Sequence, residues 1–270
     1  MQKKIRMINN NKEFKLISKK NPKSLLPNAL TIFGVSLGLS SIKFAIDLNY
    51  SMAVMAIGFA AVLDTLDGRV ARLIKGTSKV GKELDSLTDV ISFGVAPSFV
   101  MYFWAINELG KLGWMFVLIY TVCCALRLAR FNLTNVEENE SWKINFFEGV
   151  PSPAAAGLVL LPLILNLSGI IQLENKGIIS SVIILVTALL MVSKIPTYSL
   201  KRIVIPRSSG IFLLLGIGIY LSLVIFYTFT TLFFTGLLYI ALIPISYFHY
   251  SQKNKNFLKN AREEETEDIL

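Results

Sequence analysis

Eight apolar runs recur along this chain, near residues 27–46, 51–73, 86–106, 112–132, 151–169, 177–193, 210–228 and 230–249. Each is mostly Leu, Ile, Val, Phe, Ala and Gly, and each approaches the roughly 20 residues that a helix needs to cross a bilayer. In lipid every backbone N–H and C=O has to be satisfied within the spanning element, so open-ended spans must be helices. The sequence therefore predicts an all-α polytopic membrane protein of about eight transmembrane helices, with a tight turn near Thr230 between the last two. Composition points the same way: 53% of the 270 residues are hydrophobic and mean hydropathy is +0.58, too apolar for an ordinary soluble domain.

Charge gives the orientation. Of the 27 Lys and Arg, Lys43 lies inside the first run, and only Lys111 and Lys176 fall in loops one, three, five or seven. The rest lie in the N-terminal segment, around the loops after runs two, four and six, and in the C-terminal tail. This is the positive-inside pattern with both termini cytoplasmic. It accounts for the net charge of +9 without nucleic acid, for which an aromatic-interleaved basic domain is lacking. Three segments follow: a cytoplasmic N-terminal segment (1–26), a transmembrane domain (27–250) and a cytoplasmic tail (251–270).

Residues 1–26 are polar and basic with no small-residue cleavage site, so no cleavable signal is expected. An interfacial helix and a disordered tail are both open to them. The acidic cluster Glu263-Glu264-Glu265-Thr266-Glu267-Asp268 reads as a solvated, disordered tail. Cys123 and Cys124 are adjacent on one run and imply neither a disulfide nor a metal site. His249, the single histidine, stands where the last run meets the cytoplasm and reads as an interfacial anchor. No internal repeat is present.

Against this apolar background, acids concentrate between Asp64 and Asp89. Asp64 and Asp67 are three apart, Asp85 and Asp89 four apart, so on two helices each pair projects from one face. Four facing carboxylates stay ionised together only if divalent metal neutralises them. Oxygen-only ligation selects Mg²⁺ or Mn²⁺ over zinc, and a pair of ions would balance four charges. Ionisable residues at such depth default to function. A transporter would hold its acids near midplane on broken, repeat-related helices, whereas these lie at the ends of runs. A structural scaffold would need neither metal nor nucleotide. Gly68 and Ala71 leave small surfaces beside Arg72 where a planar ligand can lie close to backbone.

The frame Asp64-x2-Asp67-Gly68-x2-Ala71-Arg72-x8-Gly81-x3-Asp85-x3-Asp89 resembles, at every defined position, the signature of the CDP-alcohol phosphatidyltransferases. Members that use glycerol 3-phosphate or inositol read Asp-Pro-x-x-Asp-Lys or Arg at the second acid pair. Here the chain reads Asp85-Ser86-Leu87-Thr88-Asp89-Val90, followed by Ser92-Phe93-Gly94, Arg127-Leu128-Ala129-Arg130-Phe131-Asn132 and Phe147-Glu148-Gly149-Val150-Pro151-Ser152-Pro153. That combination is similar to the serine-using branch, with another alcohol as the alternative acceptor. Thr88 stands where many relatives carry Ala. The resemblance covers about residues 27–157.

The resemblance implies a homodimeric enzyme of the bacterial cytoplasmic membrane, its active site facing the cytoplasm. It would transfer the phosphatidyl group of CDP-diacylglycerol to the hydroxyl of L-serine and release CMP. It also implies roles. Asp64, Asp67 and Asp85 correspond to metal ligands, and Asp89 to a ligand that also serves as general base. Gly68, Ala71, Arg72 and Gly81 fall on the CDP-lipid side, with Gly81 ending or turning the link between runs two and three. Asn28 and Thr31, just after Pro27, either face the nucleotide or cap the first helix. Arg127 and Arg130 suit a serine carboxylate or lipid phosphate, since guanidinium binds such groups bidentately, or they anchor topology. Ser152 either lines the acceptor pocket or simply starts a helix.

Overall fold

The structure is a computed structural model that describes residues 25–74, 79–133, 145–199 and 210–267. Helices α1 (Leu25–Ile46) and α2 (Tyr50–Leu73) form the most extensive pair. The short turn between them uses Leu48 at φ 59, and the Asn49 side chain caps α2 by accepting from the Met52 N–H at 3.3 Å, satisfying an otherwise orphaned donor. The third rod is composite: α3 (Lys79–Asp89), a π turn (Val90–Val95) and α4 (Ala96–Trp104). After a 3₁₀ turn (Ile106–Leu109) come α5 (Lys111–Leu133), α6 (Ser152–Ser168), α7 (Lys176–Val192), α8 (Gly210–Phe226) and α9 (Thr228–Glu267). Strands β1 (Phe146–Glu148) and β2 (Pro196–Tyr198) pair antiparallel, Phe147 opposite Thr197.

Helix α6 is apolar nearly all round and lies in the middle, with Ala155, Val159, Leu160 and Leu163 at most 2% exposed, as expected of a fully enclosed helix. Phe93, Met101, Tyr120, Ile184 and Met191 complete the core around it. The all-α polytopic fold is thus observed. Among the described residues, five helices are long and apolar enough to cross a membrane: Leu25–Ile46, Tyr50–Leu73, Gly81–Trp104, Lys111–Asn132 and Thr228–Phe257. The other three expected spans coincide with apolar helices of 17 residues each, α6, α7 and α8, at the short end of the spanning range.

Three expectations need correction. The turn between the last two apolar helices is at Tyr227 rather than near Thr230; the Tyr227 N–H still bonds Leu223 O, and Thr231 Oγ1 reaches back to the same carbonyl at 3.0 Å. Gly81 lies in the first turn of α3, not in a link ahead of it, because the polar segment 79–89 is itself helical. The acidic stretch at residues 263–267 is not irregular: α9 runs unbroken through it to Glu267, favoured by Lys, Arg, Ala and Glu, all good helix formers. Residues 1–24, where a tail or interfacial helix was expected, lie outside the described residues.

Candidate active site

The end of α2, the C-terminal half of α3 and the N-terminal turns of α1 meet at one end of the bundle, and there the acids converge. One carboxylate oxygen from each of Asp64, Asp67 and Asp85 lies within 4.8 Å of the others. Helical spacing explains the pairing, since three- and four-residue steps return to the same face. Thr31 of α1 donates from Oγ1 to Asp67 Oδ2 at 2.8 Å, with the Pro27 carbonyl 3.0 Å away as alternative acceptor. Asp67 is 4% exposed, and its orientation is fixed by that bond and by the Gly68 N–H. Three anionic oxygens this close repel strongly at reduced dielectric. A donor set of carboxylates alone, with no nitrogen or sulfur, fits a hard divalent cation.

Asp89 is placed differently. Its carboxyl group lies within hydrogen-bonding reach of Asp64, at the edge of the three-acid set, and its Oδ1 is buried without a partner. The π turn begins at the very next residue. Such a turn leaves carbonyls off the regular ladder and recurs at functional sites; here Phe93 O accepts from Tyr120 Oη at 3.0 Å and Gly94 O from Ser98 Oγ at 2.9 Å. Close packing holds this turn: a Cβ on Gly38 of α1 would meet Ser92 Oγ at 2.6 Å, and one on Gly94 would meet Cys124 Sγ at 3.1 Å. Thr88 turns its methyl toward Gly34, so this departure from Ala adds a contact to α1 and leaves the acids alone.

Beyond Asp89 lies a basic and hydroxylic wall. Arg127 is 7% exposed and donates through Nη1 to Ser152 Oγ at 2.8 Å, while its Nε has no partner. Ser152 opens α6 and is fully buried. Arg130, three residues on, takes a different part: it donates to Val192 O at 2.8 Å and Ser193 O at 3.1 Å, and contacts Glu148 O at 3.4 Å. It ties the last carbonyls of α7 to β1, a favourable place for a cation. Gly149 completes this corner. Its φ of +71 suits glycine, and a Cβ there would come within 2.5 Å of Met191 O.

On the other flank, Asn28, Gly68 and Ala71 are half-buried and Arg72 is exposed. A Cβ on Gly68 would meet only Arg72 Nη1, at 3.7 Å, so the guanidinium hangs over a bare stretch of helix. The structure therefore gathers Thr31, the four acids, Gly68, Arg72, Arg127 and Ser152 around one end of the bundle. Two residues there were missed in the sequence. Tyr239 of α9 has a buried hydroxyl and lies beside Thr197 of β2 and near Arg127. No local pattern marks either one. His249, expected as a plain anchor, bonds through Nδ1 to Tyr198 Oη at 3.0 Å and packs edge-on to Phe146.

A family model described as CDP-alcohol phosphatidyltransferase matches residues 24–193. The chain is 40% identical over 185 residues to the CDP-diacylglycerol–serine O-phosphatidyltransferase of Helicobacter pylori, covering 68% of this chain and 76% of that one. It is 36% identical over 198 residues to the enzyme of the same name from Mycobacterium tuberculosis, covering 72% and 68%. With its Mycobacterium leprae counterpart it shares 33% identity over 223 residues, 82% of this chain and 74% of that one.

Proposed function

Because the chain belongs to the CDP-alcohol phosphatidyltransferase family, we propose that it transfers the phosphatidyl group of CDP-diacylglycerol to L-serine, giving phosphatidylserine and CMP in phospholipid synthesis. The observation that carries this reading is the division of the acidic cluster: three carboxylates crowded together, with a fourth, Asp89, set between them and the Arg127–Ser152 pair. The named relatives supply the acceptor, and Ser86 and Val90, in place of the Pro and basic residue of the other branches, agree with it.

Asp64, Asp67 and Asp85, with Asp89 at the edge, would hold two Mg²⁺ or Mn²⁺ ions, which when bound supply charge neutralisation at the pyrophosphate and at the departing CMP. The chain's own residues do the rest. Thr31 fixes Asp67. Gly68 and Ala71 admit the cytidine, and Arg72 answers phosphate charge. Asp89 takes the proton of the serine hydroxyl as its oxygen attacks the lipid-side phosphorus; the new O–P bond forms as the P–O bond to CMP breaks, and the electron pair leaves with CMP. Arg127, oriented by Ser152, holds the acceptor's anionic group, and Arg130 positions the corner behind it.

The bundle lies in a bacterial cytoplasmic membrane as eight spans, with the acid-bearing end cytoplasmic, a reading supported by the distribution of Lys and Arg. The three 17-residue helices are at the lower limit for crossing. The homodimer rests on the family resemblance alone. Purified protein, CDP-diacylglycerol, Mg²⁺ or Mn²⁺ and a panel of alcohols test the assignment. Serine should support CMP release far better than glycerol 3-phosphate or inositol; equal or faster release with either would overturn it.

A further inference from the structure

A buried polar atom without a partner is uncommon in a folded protein and asks for an explanation. Among the described residues, three such atoms belong to side chains on three helices: Asp89 Oδ1 on α3, Arg127 Nε on α5 and Tyr239 Oη on α9. The Arg127 guanidinium is within electrostatic reach of both Asp89 and Tyr239. Its Nη1 is held by Ser152, so the planar group cannot turn freely and its Nε direction is set. Tyr239 Oη lies beside Thr197 without an aligned bond to it, and Thr197 Oγ1 is engaged with Gly149 O at 2.8 Å.

Packing puts Tyr239 there. Gly236, three residues before it and on the same face, lets α9 seat on α6, where a Cβ would come 2.8 Å from Leu161 Cδ2. Leu232, Phe233 and Ile243 continue that face onto the core, and α9 also packs against β2. A phenylalanine would fill the same space, so packing alone does not call for the hydroxyl. Yet Tyr239 stands outside residues 24–193, the part matched by the family model.

Two unengaged donors and one unengaged acceptor complement a small hydroxy acid: an anionic group against the donors, a hydroxyl against the carboxylate. We infer that Tyr239 is a specificity residue of the acceptor site, its hydroxyl and Arg127 Nε together holding the carboxylate of serine while the serine hydroxyl meets Asp89. This rests on the serine reading above and assigns to α9 a direct part in choosing the acceptor. It differs from a structural role in one respect: it acts on one substrate only.

The test is Tyr239→Phe in the full chain, assayed with CDP-diacylglycerol and Mg²⁺ or Mn²⁺. Loss of one hydrogen bond to a charged group should raise the KM for serine about tenfold or more, with kcat and the KM for CDP-diacylglycerol nearly unchanged. The preference for L-serine over ethanolamine, which has the hydroxyl and the ammonium but no carboxylate, should fall by a similar factor. L-serine should raise the melting temperature of the wild-type protein, and raise it less in the variant. An unchanged serine KM would overturn the inference and leave the serine reading standing. So would a parallel rise in both KM values with a lower melting temperature in the absence of serine. Refusal of serine by the wild-type protein would remove both.

Discussion

Residues 25–193 and the α8–α9 pair are built from similarly apolar helices, yet they treat polar groups in opposite ways. In the first region several buried polar side chains are paired across helices, as in Thr31 with Asp67, Arg127 with Ser152 and Tyr120 with the Phe93 carbonyl. Helix α8 has no buried residue at all and packs chiefly on α9, so its Leu, Ile and Phe side chains are left uncovered by the rest of the chain. Helix α9 is intermediate, turning one face to α6 and β2 and bringing Tyr239 with it. The comparison teaches that hydropathy specifies where helices lie in a membrane, while the few buried polar contacts specify which helices must stay in register.

The strongest way to break that contrast is to attack the acids. Chelation of divalent cations should abolish CMP release and lower the melting temperature, and readdition of Mg²⁺ or Mn²⁺ should restore both. Activity that persists in chelator would mean that the three carboxylates hold no ion. Next in size is Arg127→Lys, which keeps the charge and loses the fork. The KM for serine should rise about tenfold to a hundredfold with the protein still folded, and wild-type kinetics in both substrates would leave Arg127 a topology anchor. Thr31→Val removes the bond to Asp67; loss of such an orienting partner typically weakens metal affinity by about tenfold, read as a rightward shift of the metal activation curve.

The smallest effects sharpen the comparison through one residue type. Gly38 faces Ser92 so closely that a Cβ would lie 3.0 Å from its Cα, whereas Gly216 of α8 has nothing within 4 Å. Gly38→Ala should cost about 1–3 kcal/mol by overpacking, seen as a lower melting temperature. Gly216→Ala should change nothing beyond about 0.5 kcal/mol. Equal tolerance at both positions would mean that the first region is no more tightly packed than the second.

The positions of the apolar helices and of the four acids were legible in the sequence because both are local signals: hydropathy over about 20 residues, and carboxylates at helical spacing. What was not legible depends on contacts between distant segments. Gly81 reads as a turn until the amphipathic stretch around it is seen packed as a helix. Arg130 reads as an anion ligand or a topology anchor, and its bonds to the carbonyls of α7 become visible only in the fold. Tyr239 sits in an apolar run, and only the seating of α9 on Leu161 of α6 shows which face it occupies. Thr31 was legible as a site residue, but its partner, 36 residues away, was not.

The central claim is that Asp85 belongs to the metal-holding set while Asp89 stands at its edge as the base, and one paired measurement tests it: metal-dependent binding of CDP-diacylglycerol and CMP release, both recorded for Asp85→Asn and Asp89→Asn. Asn at position 89 keeps size and a carbonyl oxygen but cannot take the hydroxyl proton, so release should fall about 10²–10⁴-fold with binding largely preserved. Asn at position 85 removes a charge from the crowded set, so binding and metal response should fail together with release. Near-normal release in Asp89→Asn, or loss of binding there as complete as in Asp85→Asn, would contradict the division of roles.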